Sequence, residues 1–402
     1  MIEALWALGF FIAAAPFLFI AVVGVPPALT QGFLPFSLGS AFLIYLGSRP
    51  GGTELTVTAG LATAFWAVFV LVLHPGGGNS WTGIFTFMGI TSVMMLGLRV
   101  VMSTRRRETI PIFWAAAFFV HGWMCLAFGL VFGLTAIPYT WDWNLYAFDV
   151  SLGMVPSFVL GRLIAKSPLL HGVTYLVYEL WLPAVAAVHA RQVWSGKQAA
   201  AKILPVAATT LVIGGALYFV LPGSGPVYAF ANSFPWSAPP SLPNPLEPMR
   251  LAGAFRNALP SLHLALAILV CWHSREFGRA GRLLASGFLL TTIFATLALG
   301  EHYLVDLVVA VPFTLAMQAA WTTEIRFSSP PRWIAVVGGT VLTASWFVLL
   351  RFGARAMLVS PALPWTLVLF TLLLSAYLTA RLRKASTART LVFGIAPVRA
   401  KA

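Results

Sequence analysis

Charge is what this sequence has least of. Only 9% of its 402 residues are Asp, Glu, Lys or Arg, against about a quarter in an ordinary soluble domain. That scarcity excludes a water-exposed globular surface over most of the chain. Acids are rarer than bases, 11 against 25, and the aspartates are confined to positions 142, 149 and 306. No carboxylate cluster offers a magnesium site, and neither metal nor cofactor is expected. The two cysteines, Cys125 and Cys271, stand far apart inside apolar stretches. They form no CxxC pair, which excludes a disulfide framework and a zinc ribbon, and they read as small hydrophobic side chains.

What the chain has instead is apolar length. Hydrophobic residues make up 59% of it and the mean hydropathy is +0.87. Runs long enough for a hydrocarbon core of roughly 30 Å recur throughout. They predict spans at 5–25, 33–48, 54–74, 82–102, 110–135, 168–190, 203–221, 260–273, 283–300, 302–321, 333–350 and 363–381. The first, Leu5–Val25, follows Met1-Ile2-Glu3 with no basic segment before it, and reads as a retained helix. Phe148–Ala165 is shorter, is broken by Pro156 and carries Arg162, so it is expected to lie at the interface or to enter part way. The fold class is therefore all-α, a polytopic membrane helix bundle of about 12 transmembrane helices.

The formal net charge of +14 would point to nucleic acid in a soluble protein. Here the basic residues sit in short loops between apolar spans, as orientation in a bilayer requires. With a cytoplasmic N-terminus, 19 of the 25 basic residues fall on the inner side. The outer side holds Arg162, Lys166, Arg250, Arg256, Arg351 and Arg355. Membrane lipid is the expected partner, and no nucleic acid. The cell membrane is the expected location, with 382–402 as a basic cytoplasmic tail. One connection differs from the rest: Pro222–Ala258 is long, proline-rich and nearly uncharged, and by parity it lies outside. A long ordered loop in a chain of short connections marks function.

Candidate chemistry gathers at the end of that loop. Asp306 follows His302 by four residues, the spacing at which two side chains share a helix face. A carboxylate on one ring nitrogen leaves the other free and more nucleophilic. Upstream, Arg256-Asn257-Ala258-Leu259-Pro260-Ser261-Leu262-His263 closes the loop and opens a helix. Proline suits a first turn, and the amides there with Arg256, Asn257 and Ser261 make a phosphate site. His263 lies within about one turn of it, placed to donate a proton. The expected catalytic residues are thus His263, His302 and Asp306. Glu301 is expected to cap the helix start, and Asp142 and Asp149 to cap the interfacial segment. Glu179 is either functional or a partner for polar groups at a helix bent by Pro183. His74, His121, His171, His189 and His273 lack partners at telling spacings and read as structural.

Pro260-Ser261-Leu262-His263, with His302-Tyr303-Leu304-Val305-Asp306 about forty residues on, resembles motifs two and three of the type 2 phosphatidic acid phosphatase superfamily. Leu262, the wording GEHYLVD and the Gly225-Pro226-Val227-Tyr228 stretch are similar to its inositol phosphorylceramide synthase-like branch. The resemblance implies a six-helix catalytic core over 140–321, flanked by helices at 1–139 and 322–381. It also implies that His302 attacks phosphorus, that Asp306 orients it, that His263 acts as general acid, and that no metal takes part. The family's first motif is absent, and Ala295-Thr296 replace the Ser-Arg of its third. The expected activity is lipid phosphotransfer, ending on water or on an alcohol such as ceramide. The alternative is a polytopic lipid transporter or flippase.

Overall fold

The computed structural model describes residues 34–73, 83–102, 106–196, 202–237 and 240–392. The expected span 5–25 and His74 lie outside them. Nearly every described element is a helix, because apolar sequence in a membrane must satisfy its backbone internally. In chain order they are α1 (Leu34–Gly47), α2 (Gly52–Val68), α3 (Gly83–Met102), α4 (Arg106–Ala136), β1 (Tyr139–Thr140), α5 (Asp142–Ser151), α6 (Pro156–Ala165), α7 (Pro168–Glu179), α8 (Trp181–Trp194) and α9 (Ile203–Leu217). Then come α10 (Pro226–Ala229), β2 (Met249–Arg250), α11 (Leu262–His273), α12 (Gly278–Ala298), α13 (Leu304–Ala320), α14 (Pro330–Phe352) and α15 (Ala362–Val392).

Among the described residues six stretches are long and apolar enough to cross a membrane, or up to eight if two bent pairs each count as one. This makes the chain a multi-pass membrane protein. The expected count of twelve is not confirmed among the described residues. The apolar helices α1, α9 and α13 have 14, 15 and 17 residues, which rise about 21 to 26 Å, less than the full core. The 142–165 segment is a V: α5 and α6 meet at 92°, and each, at ten residues, is only about 15 Å long. In the second bent pair, α7 and α8 meet at 51° around Leu180. Pro183 lacks the N–H that would bond the Glu179 carbonyl, which is why the bend falls there.

The chain divides into two compact units, the described residues of 1–136 with 176–204, and those of 137–175 with 205–402. In the first unit α1 packs on α3, α4 and α8. Gly89 permits the closest approach, since a Cβ there would lie 1.9 Å from the Leu38 carbonyl oxygen. The Arg99–Glu54 ion pair, at 2.6 Å, is tied to Ser48 and Tyr45.

The second unit holds the functional candidates. Its core gathers Tyr146, Phe148, Phe158, Phe230, Tyr303 and Trp346 with the aliphatic faces of α13 and α14. Helix α11 runs away from the site and α12 returns. The break is the 3₁₀ turn Ser274–Phe277, followed by Gly278 at φ 75°. The C-terminus of α13 is closed by buried Arg332, whose guanidinium donates to the carbonyls of Ala319, Ala320 and Ile325. Arg332 is therefore a helix cap. On α14, a Cβ at Gly339 would meet the Pro312 oxygen at 2.6 Å and the Ala316 nitrogen at 2.9 Å. Gly339→Ala is expected to lower stability by about 2 kcal/mol through overpacking. Gly60→Ala, where the space is open, is expected to be neutral. Thermal unfolding of the detergent-solubilised chain compares the two.

Candidate active site

Two helix starts meet here. Ser261 caps α11 in an extended conformation, its hydroxyl accepting the Leu264 N–H at 3.4 Å, as expected of serine at that position. His263 follows in the first turn, buried. The other start is built by the end of α12. Gly300, at φ 73°, ends that helix in the left-handed conformation glycine tolerates. The chain then turns so that the His302 N–H reaches the Thr296 carbonyl at 3.2 Å. Helix α13 opens two residues later. Asp306, in its first turn, accepts the Tyr303 N–H at 2.8 Å, the backward half of a capping box.

The same Oδ2 of Asp306 lies 3.4 Å from Nδ1 of His302, with both groups buried. That is long for a hydrogen bond but within ion-pair reach. A carboxylate there favours the proton on Nδ1 and leaves a lone pair on Nε2. Nε2 is buried without a hydrogen-bond partner among the described residues. The two starts are joined directly, because the Ser261 N–H donates to the Asp306 carbonyl oxygen at 3.2 Å. As a result the His263 and His302 rings stand with centroids 6.0 Å apart, at 67° to each other. An imidazole held at one nitrogen, beside a second imidazole, has the geometry that nucleophilic attack with proton transfer requires.

Residues 143–320 match the family model of the PAP2 superfamily. The match supports the type 2 phosphatidic acid phosphatase superfamily, whose members are generally phosphatases or phosphotransferases on phosphoesters. It spans both histidine motifs and the V of α5 and α6. No curated protein and no solved structure matches the chain.

In and beside the matched stretch, a shell of buried groups that sequence reasoning assigned elsewhere supports the histidines. All three aspartates of the chain are fully buried and converge on the start of α13. Asp149 accepts the Leu304 N–H at 3.1 Å. Asp142 accepts the Tyr303 hydroxyl at 2.9 Å and the N–H groups of Ser224 and Gly225 at 3.1 and 3.0 Å. The expectation that Asp142 and Asp149 cap their own segment is corrected, since α5 and α6 carry no side-chain cap. The Glu301 carboxylate accepts the Tyr228 hydroxyl at 3.0 Å, while Asp149 and Asp306 accept N–H groups at the helix start. Gly225, at φ 91°, lets the 222–230 strap lie on the His302 turn, where a Cβ would come 2.4 Å from the Glu301 oxygen. The signal that points to this shell is the rarity of aspartate itself.

The three expected phosphate ligands fare differently. Arg256 is 2% exposed and donates to the carbonyls of Ile137, Ala254 and Leu251 and to the Ser224 hydroxyl. Four of its five N–H groups are engaged, so its main task is to fasten the loop. Burial pushes its pKa down from the ordinary value, and Asp142 opposes the shift. Ser261 has its N–H and its hydroxyl lone pair in use at the cap. The Oδ1 of Asn257 is buried without a hydrogen-bond partner among the described residues. Pro260 sits one residue before the cap, not in the first turn, because α11 begins at Leu262. Glu179 is buried at the α7–α8 bend. Nε2 of His273 pairs with Gln318 at 3.0 Å. Among the described residues, no three His, Cys, Asp or Glu side chains form a metal-sized group.

Every hydrogen-bond partner of Asp142 named above is a donor, so Asp142→Asn sets an amide NH₂ against donors. Loss of a charged acceptor costs about 2 kcal/mol. The variant is expected to melt earlier and to lose turnover, whereas Asp142→Glu recovers part of both. Melting and lipid-phosphate release on the purified chain check this.

Proposed function

We propose that this chain is an integral membrane phosphoryl-transfer enzyme acting on lipid phosphates or phospho-headgroups, with 140–321 as its catalytic core. The observation that carries the reading is the 6.0 Å approach of His263 and His302, with Asp306 on the far nitrogen of His302. Nε2 of His302 attacks phosphorus, and the bond from phosphorus to the leaving oxygen breaks. His263, as imidazolium, gives that oxygen its proton. Water or a lipid alcohol then attacks the phosphohistidine, His263 takes the attacker's proton, and His302 is restored. Asp306 holds the imidazole and stabilises the cation it becomes. Asn257 and the last N–H of Arg256 supply the phosphate contacts.

The Gly225-Pro226-Val227-Tyr228 strap and Leu262 favour a headgroup transferase of the inositol phosphorylceramide synthase kind, with an alcohol such as ceramide as acceptor. The bias of basic residues favours an active site on the non-cytoplasmic face of the cell membrane. Purified full chain, given labelled phospholipid with and without ceramide or diacylglycerol, is expected to move the headgroup to the alcohol. Release of free phosphate whatever alcohol is present contradicts the transferase form. His302→Ala is expected to cut turnover at least about a hundredfold, the low end for loss of a positioned catalytic group, with expression and melting unchanged. Lipid movement that survives His302→Ala favours a transporter instead.

A further inference from the structure

The second arm of the V, α6, is amphipathic in an unusual way. One face, Ser157, Phe158, Gly161 and Ile164, is buried. The opposite face exposes Val159, Arg162, Leu163 and Lys166, a row at i, i+3, i+4 and i+7. Val159 and Leu163 are 52% and 50% exposed, large apolar side chains beside two cations. Such a stripe suits the boundary between acyl chains and headgroups, where the apolar members enter the lipid and the basic ones meet phosphate. Among the described residues only Nε of Arg162 is engaged, on the Phe158 carbonyl of its own helix at 3.2 Å. Its terminal nitrogens remain to form the forked contact that guanidinium makes with phosphate oxygens.

The opposite, buried face of the same helix borders the turn that carries His302. The ring of Phe234 is wedged between α6 and the His302 turn: a Cβ at Gly161 or at Gly300 would each come within 2.6 Å of its Cζ. Arg162 is thus the neighbour of a residue one aromatic ring away from Gly300-Glu301-His302. Inside the site, Arg256 has four of its five N–H groups engaged by the loop, so a lipid phosphate needs another cation to draw it in.

We propose that the exposed face of α6, with Arg162 and Lys166 as its cations and Val159 and Leu163 as its apolar floor, is the docking site for the phosphate of an anionic membrane lipid beside the His263–His302 pair. That the docked lipid is the substrate rests on the function proposed above; that it docks does not.

The test uses the full-length His302→Ala chain in phosphatidylcholine nanodiscs, with traces of photoactivatable phosphatidate or of photoactivatable diacylglycerol having the same acyl chains. Adducts are mapped by peptide mass spectrometry. Phosphatidate is expected to label the 154–170 peptide about twenty-five-fold over diacylglycerol, about fivefold for each of the two cations, and the excess is expected to vanish in R162Q/K166Q. R279Q/R282Q, which removes two exposed cations from the first turns of α12, is expected to leave it unchanged. Equal labelling by the two lipids, or an excess that persists in R162Q/K166Q or falls equally in R279Q/R282Q, overturns the proposal. On the active chain, R162Q/K166Q is expected to raise KM several-fold with kcat within twofold. Because labelling needs no turnover, an inactive wild-type chain removes the enzymatic reading while the docking result stands.

Discussion

Asp306 ties the site together through three separate contacts. Its carboxylate caps α13 through the Tyr303 N–H and faces the His302 ring, while its carbonyl oxygen receives the Ser261 N–H from the start of α11. One residue therefore sets the orientation of one imidazole and the distance to the other. A helix N-terminus presents unpaired N–H groups and positive potential. Placing an acid there makes the same charge serve capping and the neighbouring histidine. Asp149 and Asp142 extend the arrangement to Leu304 and to the Tyr303 hydroxyl, so the start of α13 is held by all the aspartates the chain has.

That concentration follows from the solvent. A carboxylate buried in an apolar bundle is costly unless donors surround it. Each of these three has at least one backbone donor, and Asp142 has two backbone donors and a phenol. The same logic governs the buried arginines. Arg332 closes the far end of α13 on three carbonyls, and Arg256 fastens the 222–258 loop to Ile137 and Leu251. Cations left for phosphate are consequently those on exposed faces, which is where α6 presents its own.

Local pattern was legible in the sequence; long-range pairing was not. Helices follow from apolar runs, and the His302–Asp306 relation follows from a four-residue spacing, because both are short-range. The Pro156 break likewise announced that 148–165 is no simple span, although not that it belongs to a 92° V starting at Asp142. Asp142 and Asp149 were misread as caps of their own segment because their true partners are 82 to 161 residues away. Arg256 was read from its charge, whereas burial assigned its donors to backbone carbonyls. The ends of spans were less legible than their existence: the apolar run 203–221 continues past its helix, which stops at Leu217.

The central claim is that one imidazole becomes covalently phosphorylated while the other handles the proton. It is tested most directly by rapid quenching of the full chain with phosphorus-labelled lipid, followed by peptide mapping of any base-stable, acid-labile adduct. The account predicts phosphate on His302, formed and lost more slowly in a His263→Ala background because both steps need that ring. Label on another residue, or turnover with no covalent adduct in either background, would contradict it.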